Sequence, residues 1–457
     1  VAVGRQALGD NTTANNNTAV GYNALLKNTT GPANTAVGKD SLKLNTTGGY
    51  NSAFGDECMA LNINGSSNVA MGDFTLRSNT SGSSNTAIGA SSLNANTTAS
   101  NNTAVGKSAL SQNTTGTQNV AVGSLALRDN TTANDNTALG HAALLNNETG
   151  ASNTAVGKGA LGNNTTANDN TAVGKDTLGT NTTGTFNTAV GAESLDAATT
   201  ADSNTAFGYR TLTNTTTGHS NTALGMQPLR DNTTGIKNTA IGNNCLLSNT
   251  TASNNTAVGN EALFANTTGE SNTAVGFEAG NSVTTGTGNT FIGKEAGKNV
   301  TTGLTNICVG LDSGKSNSPS GSITTASNQI CLGNNNITNL FCKVSTIQTS
   351  DIRDKTDVND FKFGLSWVEK LRPITYRWDM RSNYKDGVSD GSKKEEKLHL
   401  GFIAQEELEI EKEHGFANNK NDMLLVNENN DGNYGMHYDR LVPILVNAIK
   451  ELSAKVT

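Results

Sequence analysis

The chain has 457 residues, of which 34% are hydrophobic, 5% aromatic and 16% charged, with 49 glycines and only 5 prolines. An ordinary globular chain is about 45–50% apolar, so large apolar surface for two or three conventional cores is missing. A formal net charge of −7 is too small for charge-driven disorder, and a pI near 5.4 without a Lys/Arg stripe excludes a nucleic-acid footprint, which leaves a neutral, polar repeat structure.

Val1 stands inside a repeat motif with no basic or signal-type apolar run around it, so the expectation is a fragment preceded by further sequence. From Gly4 to Gly310 the motif N-T-A-V-G recurs in 18 steps of 17 residues without insertion or deletion. A fixed short period makes each repeat one unit of a stack. The consensus N-T-A-V-G-x-x-A-L-x-x-N-T-T-G-x-x holds two short apolar pieces between turn formers, too short for helices and suited to brief strands. The expected fold is therefore mainly β, a 17-residue-repeat β-solenoid or β-roll.

Two columns are predicted to fill the interior: the Val, Ile, Leu, Phe or Met before each glycine, and the Leu or Met four residues after it, from Leu8 to Leu263. Small residues stand two before and three after the glycine. Cys58, Cys245, Cys308 and, in the last motif, Cys331 take such slots and read as buried spacers. With Cys342 the cysteines number five and lack C-x-x-C spacing, which argues against a disulfide framework or a metal site.

Asn recurs four residues before every glycine from Asn17 to Asn306. Stacked amides about 4.8 Å apart can bond the copies above and below, an asparagine ladder. A second Asn column runs from Asn11 to Asn266, broken only by Ala198 and Thr215, and is placed at a turn that favours left-handed backbone. The N-x-[ST] sequons follow automatically from a repeat built on N-T-T. One coil cannot fold alone, and near-identical coils make a slip of a whole repeat cheap, so something outside the array has to fix the register. These repeats look like the polar β-rolls of viral and phage fibres and of trimeric autotransporter adhesin heads.

After Leu263 the leucine column gives way to Gly280, Gly297 and Gly314, and the next motif, Asn328 to Gly333, comes after a 23-residue step. Residues 1–310 thus read as the shaft and 311–349 as a tapering end and connector. Composition switches at residue 350: residues 350–457 carry 36 of the charged side chains and both tryptophans, Trp367 and Trp378. This is a separate small α+β domain. Short apolar pieces lie at Val368–Leu371, Ile374–Trp378 and Leu400–Ala404. Tyr438 to Leu452 has Leu441, Leu445, Ala448, Ile449 and Leu452 on one helical face, with Pro443 tolerated in the first turns.

The ordered motifs S-D-I-R-D-K (Ser350 to Lys355), L-R-P-I-T-Y-R-W (Leu371 to Trp378), G-F-I-A-Q-E (Gly401 to Glu406) and Y-D-R-L-V-P-I-L-V-N-A-I-K-E-L (Tyr438 to Leu452) closely resemble one family. It is the self-cleaving intramolecular chaperone domain at the C-terminus of endosialidase-type phage tailspikes and fibres, found also in myelin regulatory factor. The resemblance implies a homotrimeric folding aid with Ser350 as nucleophile, Lys355 as its partner, and a cut between Thr349 and Ser350. A neutral lysine takes the serine proton, which needs its pKa to fall from about 10.4. Asp354 departs from the family pattern, and a carboxylate there would hold Lys355 protonated and slow the cut. His399, His414 and His437 read as surface or core residues, and Asp351, Arg353, Gln405 and Glu406 as motif residues without an assigned role.

The resemblance makes the expected function a virion fibre or spike shaft, displayed externally and partnered by its own copies, other virion proteins and a host receptor or glycan. Its only enzymatic activity would be a single-turnover serine self-cleavage, with no external substrate, no cofactor and no membrane insertion. The alternatives are a trimeric cell-surface adhesin, whose membrane anchor is missing here, and an ice- or glycan-binding protein using the threonine columns at Thr18, Thr35 and Thr103. A glycan-cleaving tailspike needs paired carboxylates at a cleft, which so acid-poor a repeat does not supply.

Overall fold

A computed structural model describes residues 1–457 except 338–339, 341–349, 351, 382–383, 385–386 and 457, and describes Asp354 without its side chain. The chain divides into two compact units, Val1–Asn289 and Thr290–Thr457. The fold is mainly β, a solenoid of about 18 turns with a 17-residue repeat, and ends in a small domain with a C-terminal helix.

In the first unit each coil contributes one short strand, from β1 (Ala2–Val3) to β17 (Thr273–Val275). Neighbours run parallel with a 17-residue offset, as where Thr154, Ala155 and Val156 lie opposite Thr171, Ala172 and Val173. Three residues suffice because the turns on both sides are also bonded to the next coil: Leu161 N donates to Thr177 O at 3.0 Å and Thr165 N to Thr182 O at 3.2 Å.

Alternation along so short a strand sends one side chain in and two out. The inward one is the alanine two residues before the glycine: Ala155 and its equivalents from Ala19 to Ala274 are fully buried. The apolar residue before the glycine is not interior, contrary to the sequence expectation. It points outward, half-buried at most of the valines and exposed at Val3, Phe54, Met71, Ile88, Leu139, Phe207, Leu224 and Val275. The narrow coil already encloses the leucine and two asparagines, which leaves room for a methyl group at the strand.

The glycine is fixed by the stacking. Gly157 has φ +137°, and a Cβ there would sit 2.3 Å from the carbonyl oxygen of Gly174 in the next coil. The interior leucine is itself left-handed, φ +50° at Leu161, a conformation that costs an L-residue about 1–2 kcal/mol and persists here because the side chain is fully buried. The left-handed positions stand two and four residues after the glycine and five before it, as at Asp176, Leu178 and Asp169. The second Asn column is not among them, so its placement at a left-handed turn is corrected.

Both Asn columns are buried ladders. In the first, Asn153 Oδ1 accepts from Asn170 N at 3.0 Å, while Asn153 Nδ2 donates to Ala167 O at 2.8 Å. In the second, Asn164 Nδ2 donates to Asn147 Oδ1 at 2.7 Å and to Ala167 O at 3.0 Å. The break is visible: Ala198 offers no donor, and Asn181 Oδ1 is left without a partner. Where glycine replaces leucine at Gly280, fully buried Val283 takes over the position of the second ladder, so the apolar filler changes place within the coil.

The second unit opens with β18 (Thr290–Ile292), β19 (Ile307–Val309) and β20 (Ile330–Leu332). β19 pairs with β20 across the 23-residue step, Ile307 opposite Ile330. Cys58, Cys245, Cys308 and Cys331 are all buried, and burial pushes the first three thiols up to about 12. Cys342 lies outside the described residues.

The charged segment folds as α1 (Leu365–Val368), an antiparallel pair β21 (Ile374–Tyr376) and β22 (His399–Gly401), α2 (Ala404–Glu413), the hairpin β23 (Val426–Glu428) and β24 (Tyr434–Met436), and α3 (Leu441–Val456). Trp367, Ile410, Leu425, Leu441 and Ile444 form its core, with Phe361, Phe363 and Phe416 around them. The helix face differs from the one expected. Leu441, Ile444 and Ala448 are buried, whereas Leu445, Ile449 and Leu452 are exposed. The hairpin turn meets the last coil, where Ser322 N donates to Asp431 Oδ2 at 2.9 Å and Asn430 Nδ2 to Gln329 Oε1 at 3.0 Å.

Candidate functional site

The segment from Ser350 folds back through a 3-10 turn, Ile352–Asp354, that Lys355 N closes by donating to Ile352 O at 3.2 Å. The turn returns the lysine to the serine: Lys355 Nζ donates to Ser350 Oγ at 2.7 Å. Both residues are exposed in the single chain. As an ammonium the lysine holds the hydroxyl oxygen; as a free amine it accepts the hydroxyl proton along the same line and makes Oγ a nucleophile. Thr349, Asp351 and the side chain of Asp354 lie outside the described residues.

The remaining motifs join distant segments of the domain. Arg372 of L-R-P grips Glu406 of A-Q-E, Nε donating to Oε2 at 3.0 Å with a second guanidinium bond to Oε1. This pairing holds the Glu406 carboxyl below the usual carboxylate range. Phe402 N donates to Tyr438 Oη at 3.1 Å. The same hydroxyl explains the preceding glycine, because a Cβ on Gly401 would lie 2.4 Å from it. Glu406, which lacked an assigned role, is thus part of a joint between distant segments.

Sequence reasoning missed Glu407 and Glu411. They stand four apart on α2, where an acidic run hides the fact that both point inward with Leu408 and Ile410. Trp367 Nε1 donates to Glu407 Oε1 at 2.8 Å, and Glu407 Oε2 has no partner. Burial pushes this carboxyl up to about 7; the Trp367 bond opposes the rise and Glu411 adds to it. Glu411 accepts the N–H groups of Leu424, Leu425 and Val426 at 2.8, 2.7 and 2.8 Å, which pins the start of β23 to α2. The histidines pack: His414 stacks on Trp367 with centroids 4.6 Å apart, and His399 on Tyr376 at 5.5 Å.

Residues 350–416 match the family model described as chaperone of endosialidase. The match begins at the serine of the Ser350–Lys355 pair. A solenoid followed by a chaperone-of-endosialidase segment fits a tail-fibre or endosialidase-type chaperone arrangement. No curated protein matches the chain.

Proposed function

We propose that the chain is the shaft of a virion fibre or spike, whose segment 350–457 brings three copies together, starts their folding and then cuts itself off. The shaft would comprise 1–310 and the connector 311–349. The observation that carries the reading is the 2.7 Å bond from Lys355 Nζ to Ser350 Oγ at the first residue of the matched segment.

The cut requires a neutral Lys355. Its amine takes the Ser350 hydroxyl proton as Oγ attacks the Thr349 carbonyl carbon; the Thr349–Ser350 C–N bond breaks, and the proton passes to the departing nitrogen. The resulting ester is hydrolysed by water to a Thr349 carboxylate and a chain beginning at Ser350. A copy packed over the exposed pair would strip water from the amine and favour the neutral form, which orders assembly before cleavage.

Self-association is supported by α3. Val442, Leu445, Ile449, Leu452 and Val456 are exposed and recur at alternating three- and four-residue steps, the spacing of a coiled-coil seam. Display on the virion and contact with a host receptor or glycan rest on the family likeness. The test is an intact-mass measurement of the expressed chain against Ser350→Ala: the parent should give a new N-terminus at Ser350 and the variant a single uncut species. An assembled, uncut parent chain would remove cleavage from the account.

A further inference from the structure

The solenoid leaves its strand face bare. In each coil the strand turns two side chains outward, one and three residues before the glycine. The first of these is apolar in every strand of the first unit, the second is mostly threonine, and none of the strands β1 to β17 contains a charged residue. Charges begin immediately beyond the glycine, at Lys158, Lys175, Asp176 and Glu193. Exposure along the apolar column is 56% at Val3 in the terminal coil and 50% at Leu224 within the stack.

Size decides whether such a strip matters. Seventeen strands stacked about 4.8 Å apart and about 10 Å long make a face of roughly 800 Å². That equals one partner's share of a standard interface, about 800 Å², with an apolar column and a threonine column in place of charges.

The periodicity selects the occupant. A partner with any other axial repeat falls out of step with the rows after a few coils, whereas a second copy offers the same step along its whole length. Side-chain size then marks position. Phe54, Met71 and Ile88 form one bulky block and Phe207, Leu224 and Ile241 another, with five valines and the single Leu139 between them. Copies related by rotation about an axis parallel to the stack place equal heights together.

We propose that this strand face is where copies of the chain meet along the solenoid, parallel and in equal axial register, with the two bulky blocks as register marks. The inference rests on the self-association proposed above and adds the surface through which the solenoids associate. It also supplies a register device that one chain of near-identical coils lacks, since a slip of one coil would set Phe54 beside Met71.

The test uses the full chain with Cys342→Ser, so that the remaining native thiols are the buried ones. A nitroxide is placed at Val156→Cys on the face or at Glu148→Cys on an exposed turn, and scattering mass is read together with dipolar coupling between labels. Assembled chains with strong coupling at 156 and weak coupling at 148 are expected. Failure of only the 156-labelled chain to assemble supports the face as well. Assembled chains with no coupling at 156 overturn the face and leave self-association standing; a monomeric parent overturns both. As a second variant, Leu139→Lys with Val156→Lys should lower the melting temperature of the assembled solenoid while Glu148→Lys does not, and equal melting of the two would overturn the proposal. A monomer whose strand face shapes growing ice would reassign the face to ice.

Discussion

Lys355 Nζ lies 2.7 Å from Ser350 Oγ, so one short turn brings together the two side chains proposed above as base and nucleophile. What the rest of the domain must supply is assembly and a dry environment. Ser350→Ala and Lys355→Ala should each abolish the cut at Thr349 and leave the oligomer intact, because neither side chain belongs to the core. Mass spectrometry reads the first and light scattering the second. Loss of assembly in Ser350→Ala would merge the two roles.

Glu407 makes the C-terminal domain pH-dependent. Its folded pKa, pushed up to about 7, stands above the unfolded value near 4.3. Its share of stability is therefore fully present below about pH 4.3 and lost as pH rises through 7, by up to about 3 kcal/mol above that. Glu407→Gln keeps an acceptor for Trp367 Nε1 and should flatten the dependence. Urea melts of residues 350–457 within the full chain at pH 5.5 and 8.5 measure it; identical slopes in parent and variant would reject the assignment.

The Asn ladders give predictions of opposite sign. Asn153→Leu removes the acceptor of Asn170 N and the donor to Ala167 O, at a cost of about 1–3 kcal/mol. Ala198→Asn restores a donor for the orphaned Asn181 Oδ1 and should stabilise by about 1 kcal/mol. Thermal melts of the two variants should move in opposite directions.

On α3 the two faces separate folding from assembly. Ile449→Asp changes an exposed seam residue and should leave helix content unchanged while the oligomer dissociates. Ile444→Asp buries a charge against Trp367 and should unfold the domain. Circular dichroism with scattering mass distinguishes them, and an intact oligomer in Ile449→Asp would move the contact elsewhere.

The 17-residue period, the parallel stack, the Asn columns and the buried cysteine slots were all legible, because each depends on a residue type repeated at a fixed spacing. Which way Val156 points was not. Val and Ala alternate in one strand, and apolar character alone favours Val inside; the deciding fact is the width of a coil already filled by Leu161 and two asparagines. The same ambiguity placed Leu445 and Ile449 on the packed side of α3, where Ile444 is found. Glu411 was illegible because its partners are backbone N–H groups 13 to 15 residues away, which no side-chain pattern announces. Ser350 and Lys355 were singled out only through their company of downstream motifs, and their roles remain part of the proposal.

The most direct measurement compares the scattering mass and ellipticity of residues 1–349 expressed alone with those of the full chain. The account predicts soluble trimers with ordered β-structure from the full chain, cut or uncut, and aggregated or misregistered material from 1–349. Soluble, ordered trimers from residues 1–349 alone would contradict the chaperone role.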